Sequence, residues 1–251
     1  MQFFGKTDIG AVRDSNQDSF FADFITLPDT DEQYFLAVVC DGMGGANGGS
    51  IASSLAIETF KTELSVGMRN IISENLPADT TESILSYAVK CANTAVYDAA
   101  NKDADLRGMG TTLVAMVVFH NTVYIANVGD SRLYVIAEDG MCRLTHDHSY
   151  VQTLVDKGQI TEEQARTHPN KNVIMRAVGT DREVRPDFFK IYPDRKSFLL
   201  CSDGLSNFVS ETEIDKTVRE ADSAKTAVES LIDKANAAGG ADNITAILVK
   251  N

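Results

Sequence analysis

The sequence predicts an α+β fold in which antiparallel strands form the interior and long helices cover them from outside. Three observations carry that reading. Strand-like apolar runs outnumber helical ones; neighbouring runs are joined by hairpin-length links such as Phe119-His120-Asn121-Thr122-Val123 rather than by helical crossovers; and three long segments repeat apolar residues at helical spacing along one stripe.

The first strands are expected at residues 2–7, 18–25 and 34–40, where β-branched and aromatic residues cluster between turn formers. A helix follows over 49–66, with Ile51, Leu55, Phe60 and Leu64 near helical spacing. A second covers 81–101 and places Ile84, Ala88, Ala92, Ala95, Val96 and Ala99 on one face. Strands resume at 111–119, 122–129 and 132–138. Residues 145–180 break the pattern: they are polar, with short helical pieces and few strand signals, and read as a flap or lid. Strands at 187–192 and 197–202 come next. A helix carrying Ala224, Ala227, Val228, Leu231, Ile232 and Ala235, then a strand at 244–250, complete the order.

At 251 residues the chain is long enough for a large core, and no low-complexity tract or Pro-rich linker divides it, so one domain over 1–251 is expected. No segment approaches 18 uninterrupted apolar residues, and the N-terminal stretch lacks a signal-peptide core. Both point to the cytoplasm and to no membrane partner. Cys40, Cys91, Cys142 and Cys201 are widely spaced without a C-x-x-C pair, which suits reduced, buried thiols rather than a disulfide framework. Asp plus Glu number 36 against 23 Lys plus Arg, and the resulting formal charge of -13 opposes nucleic-acid binding. Bound divalent cations would invert that field locally. With no heptad pattern or exposed apolar helix, a monomer is expected.

Four aspartates sit at the ends of strand-like runs: Asp41 after FLAVVC, Asp130 after VYIANVG, Asp203 after SFLLCS, and Asp242 before NITAILV. Each alone is an ordinary turn former. On neighbouring strands their carboxylates would converge, and each pair about 5 Å apart would repel by about 3 kcal/mol at an effective dielectric near 20. Divalent cations relieve such repulsion. Oxygen donors without thiolate or imidazole suit magnesium or manganese better than zinc or copper.

Asp41-Gly42-Met43-Gly44-Gly45 lacks the ending of a P-loop and the spacing of a dinucleotide loop. It suits a sharp strand exit at which Asp41 bridges two ions and the unhindered backbone of Gly42 approaches one of them. Arg13, with Asn16, Gln17 and Asp18 close behind, is a candidate phosphate clamp, because a guanidinium grips two oxygens in a planar fork. His146 and His148 flank Asp147 and are read as structural hydrogen-bonding groups rather than metal ligands. No G-x-S-x-G or H-E-x-x-H occurs, which disfavours a covalent nucleophile.

The motifs RDSNQD at 13–18, DGMGG at 41–45, GMGTT at 108–112, GDSR at 129–132, SDGL at 202–205 and DN at 242–243 appear in one order along the chain. In that order and spacing the sequence resembles the metal-dependent protein phosphatases of the 2C type, over essentially its whole length. The insertion, with HDHS, ITEEQARTHP and NVIMRAVGT, resembles the flap of the bacterial stand-alone serine/threonine phosphatases.

The resemblance implies a four-layer αββα sandwich, two antiparallel sheets flanked by helix pairs, with the flap inserted. It implies that Asp41 bridges two Mn2+ or Mg2+ ions, that the Gly42 carbonyl joins the second, and that Asp203 and Asp242 complete the first. Asp130 with Asp203 would hold a third, weaker ion. Arg13 would bind substrate phosphate and Asp18 would orient a water from behind the metals. Two cations about 3.5–4 Å apart lower the pKa of a bridging water from about 15.7 toward neutrality, so hydroxide attacks phosphorus in line. The implied substrates are phosphorylated proteins, a serine/threonine protein kinase among them.

One departure stands out. Many bacterial relatives have histidine directly after DGMGG and many eukaryotic ones at the position of Met43; here the chain has Ala46 and Met43. The usual candidate general acid is missing, which handicaps alkoxide leaving groups more than aryl ones. That absence also keeps open a regulatory module that binds phosphoproteins without turnover. A two-metal nuclease is the third reading, opposed by the acidic balance.

Overall fold

Residue parity along the strands builds the layers. The computed structural model describes residues 1–28, 31–45, 47–74, 76–77, 80–194 and 196–250; Ala46 therefore lies outside the described residues. In strand β3 (Gln33–Met43), Tyr34, Leu36, Val38 and Cys40 enter one apolar layer while Phe35, Ala37 and Val39 enter another. A strand that buries both faces must have a sheet face or helix on each side, and here it has one of each.

The sheet containing β3 has the order β2 (Asp18–Thr26), β3, β5 (Leu113–Phe119), β6 (Thr122–Val128) and β9 (Asp187–Ile191), with the short β4 (Gly110–Thr111) on β3. The other has the order β1 (Gln2–Asp8), β11 (Ile244–Lys250), β10 (Ser197–Cys201), β7 (Arg132–Ala137) and β8 (Gly140–Arg143). Every pairing is antiparallel. The sheets meet through Phe35, Val39, Val114, Leu200, Ile247 and their neighbours.

Helices α1 (Gly48–Ser73) and α2 (Thr80–Lys102) cover the first sheet, burying Phe60, Leu64, Leu85 and Val96. Each such large side chain contributes about 1.5–3 kcal/mol when fully buried. The second sheet is covered by α6 (Glu211–Glu220) and α7 (Ala224–Ala237), which bury Ile214, Val218, Val228 and Leu231. The result is the expected αββα sandwich. Between β8 and β9 the flap holds α3 (Tyr150–Asp156) and α4 (Glu162–Thr167), and α5 (Asp203–Ser206) follows β10. No helix among the described residues is long and apolar enough to cross a membrane.

Three expectations need correction. The run expected at 111–119 is interrupted at Thr112, which turns its backbone and hydroxyl toward Asp41 instead of continuing one ladder. Helix α6 was not expected, because only Ile214, Thr217 and Val218 are buried; its local signal is Ser210, whose hydroxyl caps the Glu213 N–H at 3.3 Å. The cysteines are not uniformly buried. Cys40 and Cys201 are, but Cys91 is half-buried and Cys142 is exposed on β8, an edge strand.

Candidate metal centre and phosphate clamp

Parity carries Asp41 into position. It follows Phe35, Ala37 and Val39 at the same two-residue step, so it reaches the inter-sheet side where β3 runs out, directly opposite Asp18 of β2. Its backbone is held on both sides. The Asp41 N–H donates to Thr112 Oγ1 at 2.8 Å, and its carbonyl accepts from the Thr112 N–H at 2.8 Å and Thr111 Oγ1 at 2.9 Å. Thr112 Oγ1 also lies 2.7 Å from Ser131 Oγ, which ties GMGTT to GDSR. Gly42 sits where three backbone segments cross: a Cβ there would collide with the carbonyl oxygens of Gly49 and Gln17. No other residue fits that exit.

Asp18, only 7% exposed, is fixed from the opposite sheet. Its Oδ2 accepts from Thr245 Oγ1 at 2.6 Å and from Ser202 Oγ at 2.7 Å. Because Thr245 Oγ1 spends its proton on Asp18, the 2.7 Å contact with Thr7 Oγ1 has Thr7 donating, and Thr7 accepts from Asn16 Nδ2 at 2.9 Å. A directed chain thus runs from Asn16 to the carboxylate. Asn243 sews the loop that carries Arg13: its Nδ2 donates to Ile9 O at 2.9 Å and Ser15 O at 3.0 Å, and its Oδ1 accepts the Gln17 N–H at 2.8 Å.

Asp203 opens α5 and accepts at Oδ2 from Asn207 Nδ2 at 3.0 Å. Asp242 Oδ2 receives Arg13 Nη2 at 2.8 Å, which places the clamp candidate on the rim, half exposed. One buried carboxylate oxygen on each of Asp18, Asp130 and Asp203 has no hydrogen-bond partner. Such orphans are rare in proteins and are commonly completed by water or an ion; Thr81, Asn127, Ser206 and Asn236 carry others, but only the aspartates carry charge.

The electrostatics agree. Burial, then Asp18, Asp203, Asp130 and Asp242, push the Asp41 carboxyl well above its ordinary range. Burial, then Asp203 and Asp147, do the same to Asp130. Burial, with Asp203 and Asp242 adding to it, raises Asp18 to about 7 against the two hydroxyl bonds. Asp203 is raised to about 6 by burial and Asp242, opposed by the close approach of the Asp41 carboxyl and by the charges of Arg132 and Lys171. Among the described residues, no three His, Cys, Asp or Glu side chains are placed closely enough to hold a metal ion together. The aspartates are electrostatic neighbours that offer only oxygen donors, with free oxygens on Asp18, Asp130 and Asp203 while both Asp242 oxygens are hydrogen-bonded, a donor chemistry suited to hard cations.

The flap is stitched to these same loops. Arg132, from GDSR, donates to Asp147 through Nε at 3.1 Å and Nη2 at 2.7 Å, and Arg143 approaches the same carboxylate at 3.5 Å. At the far end of the flap, Val178 and Thr111 exchange backbone hydrogen bonds of 2.8 and 3.0 Å. His146 pairs with Asp156 at 2.9 Å; His148 is buried against the Gly129 backbone. A cavity of about 410 Å³ opens between flap and cluster, bounded by Asp130, Asp203, Arg132, Ser206, Arg166 and Lys171.

Sequence reasoning singled out Arg13, Asp18, Asp41, Gly42, Asp130, Asp203 and Asp242, and the fold gathers them at one end of the inter-sheet seam. It missed the supporting groups: Thr112, Ser202, Thr245, Asn207 and Asn243. Thr112, Ser202 and Asn243 had as their only sequence signal membership of the short motifs GMGTT, SDGL and DN; Asn207 and Thr245 lie outside those motifs and had none.

The family model for protein phosphatase 2C matches residues 11–248. The serine/threonine phosphatase stp of Listeria innocua is 37% identical over 246 residues, covering 98% of this chain and 94% of that protein. The structure of serine/threonine phosphatase Stp1 from Staphylococcus aureus superposes with a TM-score of 0.86 at 37% identity, covering 99% of this chain and 94% of that one. The catalytic domain of the phosphatase PstP in complex with 2 manganese ions superposes with a TM-score of 0.83 at 32% identity, over 99% and 97% of the two chains. The chain belongs to the protein phosphatase 2C family, among the bacterial serine/threonine phosphatases of that type.

Proposed function

We propose that this chain, acting as one catalytic domain and as a monomer, removes phosphate from phosphoserine and phosphothreonine in proteins, with Asp41, the Gly42 carbonyl, Asp203 and Asp242 holding two divalent cations. Asp130 with Asp203 would hold a third, weaker one. Bound there, manganese or magnesium supplies an activated water and neutralises charge on the phosphoryl oxygens.

The chain's own groups do the rest. Arg13, on the rim beside Asp242, orients the incoming phosphate in its fork and offsets charge on the oxygens that face away from the cluster. Asp18 accepts hydroxyl bonds from the second sheet on Oδ2 and keeps Oδ1 unpartnered, so a water in the cluster has one fixed acceptor to align against. The substrates are proteins whose phosphate a serine/threonine protein kinase has installed.

The partnerless buried oxygens on Asp18, Asp130 and Asp203, gathered around Asp41, carry this reading. The experiment is phosphate release from a phosphothreonine peptide with manganese, with EDTA, and with Asp203→Asn plus manganese. Release that needs both metal and Asp203 supports it. Peptide binding without release under any condition would instead make the chain a phosphoprotein-binding module.

A further inference from the structure

We propose that His148, a flap residue, is a positioning residue for the weak-metal aspartate Asp130, acting through the backbone of Gly129. The inference rests on the reading of Asp130 as a metal ligand. Gly129 immediately precedes Asp130 and adopts φ +104, a conformation favouring glycine, and a Cβ there would press on Thr112 Cγ2 at 2.6 Å. A turn of this kind does not hold its own shape. Its residue has more conformational freedom than any other, so an external group must decide where the next side chain points.

His148 is that group. Its backbone N–H donates to Gly129 O at 2.9 Å while its ring Nδ1 accepts the Gly129 N–H at 3.0 Å, so both polar groups of the glycine are taken by one residue. Acceptance at Nδ1 puts the ring proton of the neutral imidazole on Nε2, which then donates to Asp187 Oδ2 at 3.1 Å; Arg176 Nη1 also lies 2.8 Å from Nε2, a close approach of two donors in which its own protons go elsewhere. Arg176 Nη1 donates to the other Asp187 oxygen at 2.9 Å and to Arg185 O at 2.9 Å, locking the carboxylate that locks the ring. His148 is 7% exposed, so little water competes for these bonds.

The same residue also closes the flap on itself. His148 O accepts the Met175 N–H at 2.7 Å, and Ser149 bridges Ile174. The two ends of the flap therefore meet at the residue that clasps Gly129. Any rearrangement that parts the two segments of the flap root also loosens the turn beneath Asp130, and filling the site around Asp130 must tighten the flap root in return.

Two substitutions separate this role from simple packing. In His148→Asn the amide oxygen occupies nearly the place of Nδ1 and can accept the Gly129 N–H. In His148→Gln the longer side chain reaches toward Asp187 but leaves that N–H without its acceptor. Manganese binding is followed by calorimetry on the intact protein, with Asp130→Asn alongside. We expect His148→Gln to weaken the weakest manganese site about 10-fold with the tighter sites unmoved, the size expected when a group behind a metal ligand is lost, and His148→Asn to keep the wild-type affinity. Equal weakening in both, or melting losses with manganese affinity unchanged in both, overturns the clasp. Asp130→Asn binding manganese like wild type would sink the ligand reading itself, a separate failure.

The unsubstituted protein supplies a check that needs no variant. Saturation with diamagnetic magnesium is expected to slow hydrogen exchange at the Gly129 and Met175 amides together; unchanged exchange at both overturns the coupling.

Discussion

Arg13 and Asp242 face each other across the rim of the cluster, guanidinium Nη2 to carboxylate Oδ2 at 2.8 Å, although 229 residues separate them in the chain. The pair is exposed enough that its own contribution to stability is under about 1 kcal/mol. Its worth is positional. Arg13→Ala is therefore expected to melt within a degree or two of wild type while kcat/KM for a phosphothreonine peptide falls about 10²-fold. Parallel melting curves and steady-state kinetics check both halves, and a large melting loss would show that Arg13 is structural.

Asp203→Asn removes a buried charge that its neighbours oppose. In chelator-treated protein at pH 7.5, stability is expected to rise by about 1–3 kcal/mol as that repulsion disappears, because a carboxyl raised to about 6 is held ionised against its environment. Manganese should then stabilise the variant less than wild type, and phosphatase activity should be lost. Urea denaturation with and without manganese reads the first two and phosphate release from a phosphothreonine peptide reads the third; a destabilised metal-free variant refutes the account.

The pH dependence has a definite sign. Asp18 and Asp203 have folded pKa values raised to about 7 and about 6, above the ordinary carboxyl range, so the folded state binds more protons than the unfolded state between about pH 4 and 7. Their contribution to stability is present below about pH 4 and is lost as pH rises through 6 to 7. Manganese competes with those protons, so the stability it adds is expected to grow from pH 5 to pH 8. Thermal melts across that range, taken as the difference between loaded and EDTA-treated protein, test it; a flat difference would count against the cluster.

Thr245→Val deletes the 2.6 Å bond to Asp18 Oδ2 and strands the hydroxyl of Thr7. Destabilisation of about 1–3 kcal/mol is expected. Losing a donor to the carboxylate also raises its proton affinity further, so the acid limb of the pH–rate profile should move to higher pH. A profile that only drops in height would show that Thr245 serves packing and not Asp18.

Ala46→His tests the missing histidine. The gain is expected to reach about 10²-fold for a phosphothreonine peptide and to be small for an aryl phosphate, whose leaving group needs no proton. Equal gains on the two substrates would falsify the assignment of a general-acid deficit to this position.

What was legible in the sequence follows from what each residue owes to its neighbours. Asp41 and Asp203 stand at the ends of continuous apolar runs buried on both faces, and a charge at the end of such a run announces itself. Ser202 and Thr245 serve the same site, yet a hydroxyl residue in or beside a strand reads as ordinary β-structure; their task appears only once β10 and β11 are neighbours. Helix α7 was legible from six buried apolar residues on one stripe, while α6, with three buried positions, was not. His146 and His148 both make hydrogen bonds, but the partner of His148 Nδ1 is a backbone amide, which no side-chain pattern can encode.

The pairing of β1 with β11 has a consequence for birth as well as for catalysis. Asp18 and Thr245 are 227 residues apart, and Arg13 waits for Asp242. While a ribosome makes the chain, the α1/α2 half can fold early, since synthesis releases it first. The half-made enzyme, however, has no means to close its catalytic end until residues 242–250 emerge. Until that segment joins, Asp18 lacks the hydroxyl of Thr245 and Arg13 lacks the carboxylate of Asp242, so the two sides of the site are completed by one and the same strand-pairing event.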